Sequence, residues 1–434
     1  MSILCQYFFK STSVYYKLLL ELAKSFMRIL VNTISTKKHT GGAFQIAYNF
    51  LLKTLEHPEV EWCYFVSADL DETLDEKFRQ QSNYYVFPTQ PDFLYSYRRV
   101  AKELRSLERK LKPNVVYSIT APSYFTFEAI EVMRFTNPWV THPNKYSWTV
   151  LSQLKRLKMR LYCWNQRRMM RKGRYFVTQT EITKQGIMRI TGMPSENVCV
   201  VKNVLPTIFA STDNSHINMN DGLIHIACVA APMPHKNLDI IPEVLLHLKE
   251  RGFDNVQFHI TIPQNNLIWQ KMQRKMAKCG IDSKGVVNHG RMSQMTLVDM
   301  YRRCTFCFLP TLLEVFSVTT IEAMFFDLKI VATDFSFNRE VLGNTALYYA
   351  PMDAIDAAEK LIRLIDDNAL QAELSAQMKQ QLIQYNDYDQ HFNTIVKFLQ
   401  CVAQRSDFTN SVTLNSNPVG GVNLCCNRAE RRVA

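Results

Sequence analysis

The chain alternates short β-branched or aromatic runs with longer helix-like segments, and it does so twice. Strands separated by helices are joined by crossovers, and crossovers produce parallel α/β sheets. In the first half the strand candidates are "RILVNTI", "EWCYFVS", "NYYVFP", "NVVYSIT", "RYFVTQT" and "NVCVVKN", with helical patterns such as 43–56 and 92–111 between them. In the second half they are "LIHIACVA", "VQFHITI", "GVVNHG", "TFCFLP", "KIVATD" and "ALYYA". A length of 434 residues, 47% apolar and 21% charged, exceeds what one core supports and predicts two domains.

Residues 206–222, "PTIFASTDNSHINMNDG", are polar, lack periodicity and end in Asp-Gly, as a linker does. The predicted organisation is an extension over 1–26, a first domain over 27–205, the linker 206–222 and a second domain over 223–380. A C-terminal helix over 381–404 and a disordered tail over 405–434, rich in Ser, Asn, Thr and Arg, complete it. The first 26 residues carry Lys10, Lys17, Glu21 and Lys24 and lack the compact apolar core of a signal peptide. Translation starting at Met27 is one reading of that extension, and a short amphipathic anchor is the other. Two open parallel sheets place their carboxyl ends around one cleft, where ligands of such sheets bind.

The eleven cysteines lack zinc-site spacing and read as reduced cytoplasmic thiols. Cys304 and Cys307 form a C-x-x-C inside an apolar strand run, which favours burial over redox chemistry. No stretch approaches the ~20 apolar residues of a spanning helix, which predicts a chain that is soluble or attached at a membrane surface. Charge is concentrated over 145–174, where Lys145, Lys155, Arg156, Lys158, Arg160, Arg167, Arg168, Arg171, Lys172 and Arg174 face no acid. Leu151, Leu154, Leu157, Leu161 and Trp164 recur there at steps of three and four, which predicts a basic amphipathic helix. Such a helix suits an anionic membrane surface, or is the solvated face of a helix packed on its own domain. No stacking platform or nucleic-acid motif accompanies the charge, and no nucleic-acid partner is expected.

"FLPTLLEVFSVTTIEAMFF" ends a strand near Leu309, places Glu314 on a loop and begins a helix near Val318. That helix start offers free N–H groups and a positive dipole end to a phosphate. Glu322, in its first turns, is placed to accept from vicinal hydroxyls such as those of ribose, and Glu314 to reach a second sugar. A capping acid plus a surface acid is the plainer alternative.

The second half resembles glycosyltransferase family 4 through "VAAPMPHKNLDII", "GRMSQMTLVDMYRRCTFCFLPT", "LLEVFSVTTIEAM" and "TDFSFNREVLGNTALYYAP". The first half resembles a surface-polysaccharide subset of that family through "HTGGAFQIAYNFL", "FTNPWVTHP" and "LKRLKMRLY", so the likeness covers residues 27–402. It implies a GT-B fold: two Rossmann-like doubly wound α/β domains facing an interdomain cleft, the first for the acceptor and the second for a nucleotide sugar. It implies transfer with retention and without a metal or other cofactor. By position, Lys236 would neutralise the donor diphosphate, Glu322 would hold ribose and Glu314 would contact the donor sugar. The N–H groups of Phe316, Ser317 and Val318 would cradle the sugar and distal phosphate, and His142 would stand near the transferred sugar, or serve only the structure. Gly41 and Gly42 would let backbone approach the diphosphate from the first domain, or simply form a turn.

The chain departs from the family in two places. Ala231 stands where many members have arginine, leaving Arg291 or Arg339 as candidate replacements, and the common Glu-Gly-Phe-Gly reads Glu314, Val315, Phe316, Ser317. The expected activity is transfer from a nucleotide sugar to a lipid-linked or oligosaccharide acceptor in capsule, O-antigen or exopolysaccharide assembly, at the inner face of the cell membrane. A nucleotide-sugar epimerase of the same fold and a weakly catalytic partner subunit are the alternatives.

Overall fold

The computed structural model describes residues 27–38, 42–88, 97–385 and 387–414. Seven parallel strands form the first sheet: β1 (Arg28–Asn32), β2 (Glu61–Ser67), β3 (Tyr84–Phe87), β4 (Val115–Ser118), β5 (Ile130–Arg134), β6 (Tyr175–Thr178) and β7 (Val198–Val200). Their order is β3-β2-β1-β4-β5-β6-β7. Six parallel strands form the second: β8 (Ile224–Cys228), β9 (Val256–Ile260), β10 (Val286–Asn288), β11 (Phe306–Leu309), β12 (Lys329–Thr333) and β13 (Ala346–Tyr349), in the order β10-β9-β8-β11-β12-β13. Both orders reverse direction beside the first strand of the domain, which is the doubly wound pattern. The crevice at each reversal, between β1 and β4 and between β8 and β11, is where such sheets take ligands.

Every predicted strand appears, and one more, β5, interrupts the first sheet. Its sequence, Ile-Glu-Val-Met-Arg, carries two charges in five residues and does not read as a buried strand. Glu131 is accommodated there because the hydroxyls of Ser118 and Ser123 both donate to its Oε1. Burial still pushes its carboxyl up to about 7.

The first sheet is flanked by α1 (Gly42–Thr54) and α2 (Tyr97–Leu111), and beyond β5 come the short α3 (Pro138–Thr141), α4 (Gln153–Met170) and α5 (Glu181–Thr191). The predicted basic helix over 145–174 is therefore broken. A five-residue helix, Lys145–Thr149, precedes α4, and Leu151, at the break, is buried rather than part of the exposed stripe. The second domain contributes α6 (Gln294–Arg303), α7 (Val318–Phe325) and α8 (Ser336–Leu342).

The last helix, α9 (Tyr388–Leu414), returns to the first domain. Phe392, Ile395, Val396 and Leu399 join Ile29, Val31, Phe50 and Tyr117 in one core, and Phe392 packs on Phe50 at a ring-centroid distance of 4.8 Å. Helix continues past Arg405, where the tail was expected to lose structure, as far as Leu414. The 1–26 extension and residues 415–434 lie outside the described residues. Among the described residues no helix is long and apolar enough to cross a membrane.

Candidate active site

Lys236 and Glu314 come from the two strands that flank the second reversal. β8 runs out at Cys228, and the chain then closes a single 3₁₀ turn, Pro234–Lys236, ended by Asn237 at φ 54°. β11 runs out at Leu309 into the loop that carries Glu314. The two excursions are tied by a bond from the Leu312 amide to the His235 carbonyl, 2.8 Å. Lys236 then donates through Nζ to Glu314 Oε2, while the Val315 amide donates to Oε1 at 3.0 Å. Burial pushes the Glu314 carboxyl up, but the Lys236 charge and hydrogen bond and the Val315 amide outweigh it and hold the group below the usual carboxylate range. Glu314 is thus an ionised acid in a largely enclosed place, and Lys236 is its counter-ion.

α7 begins at Val318, as the sequence predicts. Its cap, Ser317, at φ −79° and ψ 123°, makes no side-chain bond to the first turn, and its carbonyl accepts only from the Thr320 amide, at 3.2 Å. The loop reaches this geometry without positive φ at Val315 or Ser317, which is how it dispenses with the two glycines. Burial of Leu312, Leu313, Val315 and Phe316 anchors it instead. A narrow crevice opens here, lined by Cys228, Ala230, Lys236, Thr311, Ser317 and Asn338.

The first domain reaches this loop directly. His142, at the end of α3, has Nε2 2.7 Å from the Glu314 carbonyl oxygen and Nδ1 2.8 Å from Thr141 Oγ1. A carbonyl only accepts, so Nε2 carries the proton and Nδ1 accepts from the threonine hydroxyl. Burial lowers the His142 pKa despite the carbonyl bond, which keeps the ring neutral. Asn144 Nδ2 donates to the Leu312 carbonyl at 2.6 Å, and Asn203 Nδ2 to that of Phe316 at 3.3 Å. Glu340, on α8, accepts from the amides of Glu181 and Ile182 at the start of α5.

The structure therefore brings together Lys236, Glu314 and His142, with Phe316, Ser317 and Val318 alongside. Glu322 lies deeper, on α7. It is 7% exposed, and the Tyr301 hydroxyl donates to its Oε2 at 2.8 Å. Burial raises its carboxyl to about 7, a shift the tyrosine bond opposes. Gly42 opens α1, and a β-carbon there would meet nothing within 4 Å among the described residues, so their packing does not demand the glycine. Gly41 lies outside the described residues. Arg339 is engaged elsewhere: its guanidinium forks onto Asp334 at 2.5 and 2.8 Å and lies over the Tyr348 ring. Arg291 is exposed in the loop between β10 and α6. Asn144, Asn203, Tyr301 and Glu340 were not foreseen. Only Asn144 had a signal, as a helix-capping asparagine two residues beyond His142.

The family model for glycosyl transferases group 1 matches residues 223–367. That span contains β8 to β13 and both glutamates, so the match falls on the part of the chain that carries the crevice. No curated protein matches the chain. Among solved structures, sucrose-phosphate synthase from Thermosynechococcus elongatus superposes with a TM-score of 0.64 at 11% identity, covering 88% of this chain and 100% of that one. A glycosyltransferase from Rickettsia africae gives 0.61 at 12% identity, covering 91% and 100%. Anabaena HepE in complex with UDP and glucose gives 0.59 at 14% identity, covering 89% and 99%. The fold is GT-B, and the match to the group 1 model falls within its second domain.

Proposed function

We propose that the chain transfers a glycosyl unit, with retention, from a nucleotide-sugar donor to a lipid-linked or oligosaccharide acceptor in capsule, O-antigen or exopolysaccharide assembly. The observation that carries this reading is the contact of Lys236 with Glu314 beside the open amino end of α7, with His142 of the other domain seated on the Glu314 carbonyl. An arriving diphosphate offers Lys236 a second anion, and the first-turn amides of α7 supply donors aimed at the same place. Glu314, already ionised, is left to accept from a donor-sugar hydroxyl, and Glu322 to accept from the ribose.

In the step itself the bond from the anomeric carbon to the phosphate oxygen breaks, and the acceptor oxygen bonds to that carbon on the same face. The acceptor proton passes to the departing phosphate oxygen. Lys236 and the amides meet the charge that develops on the diphosphate, and the proposal assigns no metal or other cofactor to that task. The neutral His142 positions the loop and the transferred sugar rather than carrying a charge. The HepE complex, a fold relative that holds UDP and glucose, supports a uridine donor as the first to try. We place the protein in the cytoplasm, at the inner face of the membrane that anchors the acceptor.

The test is thermal-shift binding of a panel of nucleotides and nucleotide sugars to the wild type and to Glu322→Ala. A shift with one nucleotide family that disappears in the variant is the expected result. No shift with any donor would overturn the reading in favour of a partner subunit without its own donor site. Release of free nucleotide with an unaltered sugar skeleton separates transfer from epimerisation.

A further inference from the structure

α4 has two faces. Met159, Cys163, Gln166 and Met170 lie along one, packed on the domain or bonded to it: Asn137 Nδ2 donates to Gln166 Oε1 at 2.7 Å, and Cys163 Sγ lies 3.5 Å from the Trp139 carbonyl. At 3.6 residues per turn, Leu154, Leu157, Leu161 and Trp164 fall on the opposite face. They are 63%, 56%, 60% and 61% exposed, and no other part of the described chain covers them. Four large apolar side chains in one exposed line are not scattered surface residues, since a soluble helix turns such a line inward.

The flanks of the line identify what covers it. Lys155 and Lys158 stand along one side and Arg160 along the other, Arg168 continues it at the carboxyl end, and Arg171 and Lys172 follow. No acid occurs anywhere from 145 to 174. A protein partner with an apolar groove would need a continuous acidic rim to match this. An anionic bilayer supplies the apolar bed and the negative surface together, with the lysine and arginine stems lying along the headgroups.

We propose that α4 seats the protein on an anionic lipid surface, its axis in the plane of the membrane and the line Leu154, Leu157, Leu161 and Trp164 sunk among the acyl chains. The proposal rests on the glycosyl-transfer reading for its purpose, because the inner face of α4 packs on α3, and α3 ends at His142. In addition, Arg167 donates to the Val140 carbonyl, 3.1 Å from Nη2. The candidate site segment is thus separated from the lipid by about one helix diameter, ~10–12 Å, which is within reach of a sugar held on a membrane-anchored carrier.

Flotation of the full chain with vesicles of phosphatidylcholine alone and with phosphatidylglycerol added tests this, with Leu157→Asp/Leu161→Asp and Trp164→Phe as variants. Binding is expected only to the anionic vesicles, with a blue shift of the tryptophan emission. Trp164 reports most of this shift: of the other four tryptophans Trp62, Trp139 and Trp269 are already buried, and Trp148 is half-buried beneath the Arg160 guanidinium, so the greater part of the shift should be lost in Trp164→Phe while binding persists. The aspartate pair should weaken binding at least tenfold, because it places two charges among the acyl chains, and should melt at the wild-type temperature because both sites are exposed. Equal binding by the aspartate pair, equal binding to phosphatidylcholine alone, or no binding to either vesicle overturns the proposal. A dimer in sedimentation that becomes a monomer in the aspartate pair also overturns it, by assigning the line to a second copy of the chain. Donor binding without vesicle binding sinks only the docking, and vesicle binding without donor binding sinks only the transfer reading.

Discussion

Replacing Lys236 with methionine removes the counter-ion of Glu314 while keeping an apolar stem of similar reach. Breaking a buried pair by removing one partner costs about 3–5 kcal/mol. The two side chains here are 15% and 21% exposed, so we take the low end, about 3 kcal/mol. For a domain of this size that corresponds to a melting temperature lower by about 6–12 °C.

The loss should depend on pH with a definite sign. In the wild type the Glu314 carboxyl is held below its ordinary range, so its contribution is present at neutral pH and lost as pH falls through the lowered value. In the variant burial acts unopposed by the lysine and raises the group, so stability is retained in acid and lost as pH rises. The gap between the two proteins should therefore be widest near pH 8, narrow as pH falls toward the ordinary carboxylate value near 4.5, and close only below it. Calorimetry across that range measures it, and Glu314→Gln added to Lys236→Met should restore most of the melting temperature without restoring transfer. A single variant melting within 2 °C of wild type at pH 8 would refute the energetic reasoning. A double variant that regains activity would refute the clamp.

Three further outcomes follow from the packing. Gly186→Ala puts a β-carbon 2.6 Å from the Thr141 carbonyl oxygen and 2.7 Å from its Cβ, so it should displace the segment that ends at His142. We expect about 1–3 kcal/mol lost and transfer reduced on the order of 100-fold, with nucleotide binding by the second domain unchanged in a thermal-shift titration. His259, lowered to about 4 by burial with help from His225, His289 and Arg303, contributes stability that is present above its ordinary value near 6.5 and lost as pH falls from there toward 4. His259→Gln should flatten the acid limb of a denaturation-against-pH curve. Tyr301→Phe removes a donor from Glu322 and should move its titration above 7, seen as nucleotide affinity that needs a higher pH than the wild type requires.

The strands were legible because a parallel strand buried on both faces is a continuous β-branched or aromatic run. "RILVNTI" and "KIVATD" show this plainly. β5 was not legible, because Glu131 and Arg134 conceal a strand whose buried carboxylate is accommodated by the hydroxyls of Ser118, on the adjacent strand, and Ser123. The start of α7 and the loop position of Glu314 were readable from local pattern and from the family likeness. What could not be read was pairing. Lys236 is 78 residues from Glu314, and His142 is 172 from the carbonyl it contacts. The same holds for the hydrogen-bonded line Asp221, His225, His259 and His289, in which one ring on β8, one on β9 and one just past β10 meet at 2.9 and 2.8 Å. Each histidine alone has no distinguishing context, and only the register of three strands brings them together.

The return of α9 to the first core bears on how such a chain can be rebuilt. The first domain is not a contiguous stretch of chain: it is drawn from residues 27–205 together with the helix at 388–414, whose Phe392 and Leu399 are fully enclosed. A chimera that exchanged the first half at the linker alone would pair a foreign sheet with this chain's α9 and leave that interface mismatched. A recombination that respects the molecule needs two crossover points, one near 205 and one near 387. The second domain, enclosed between them, is then the insert and the first domain is the host.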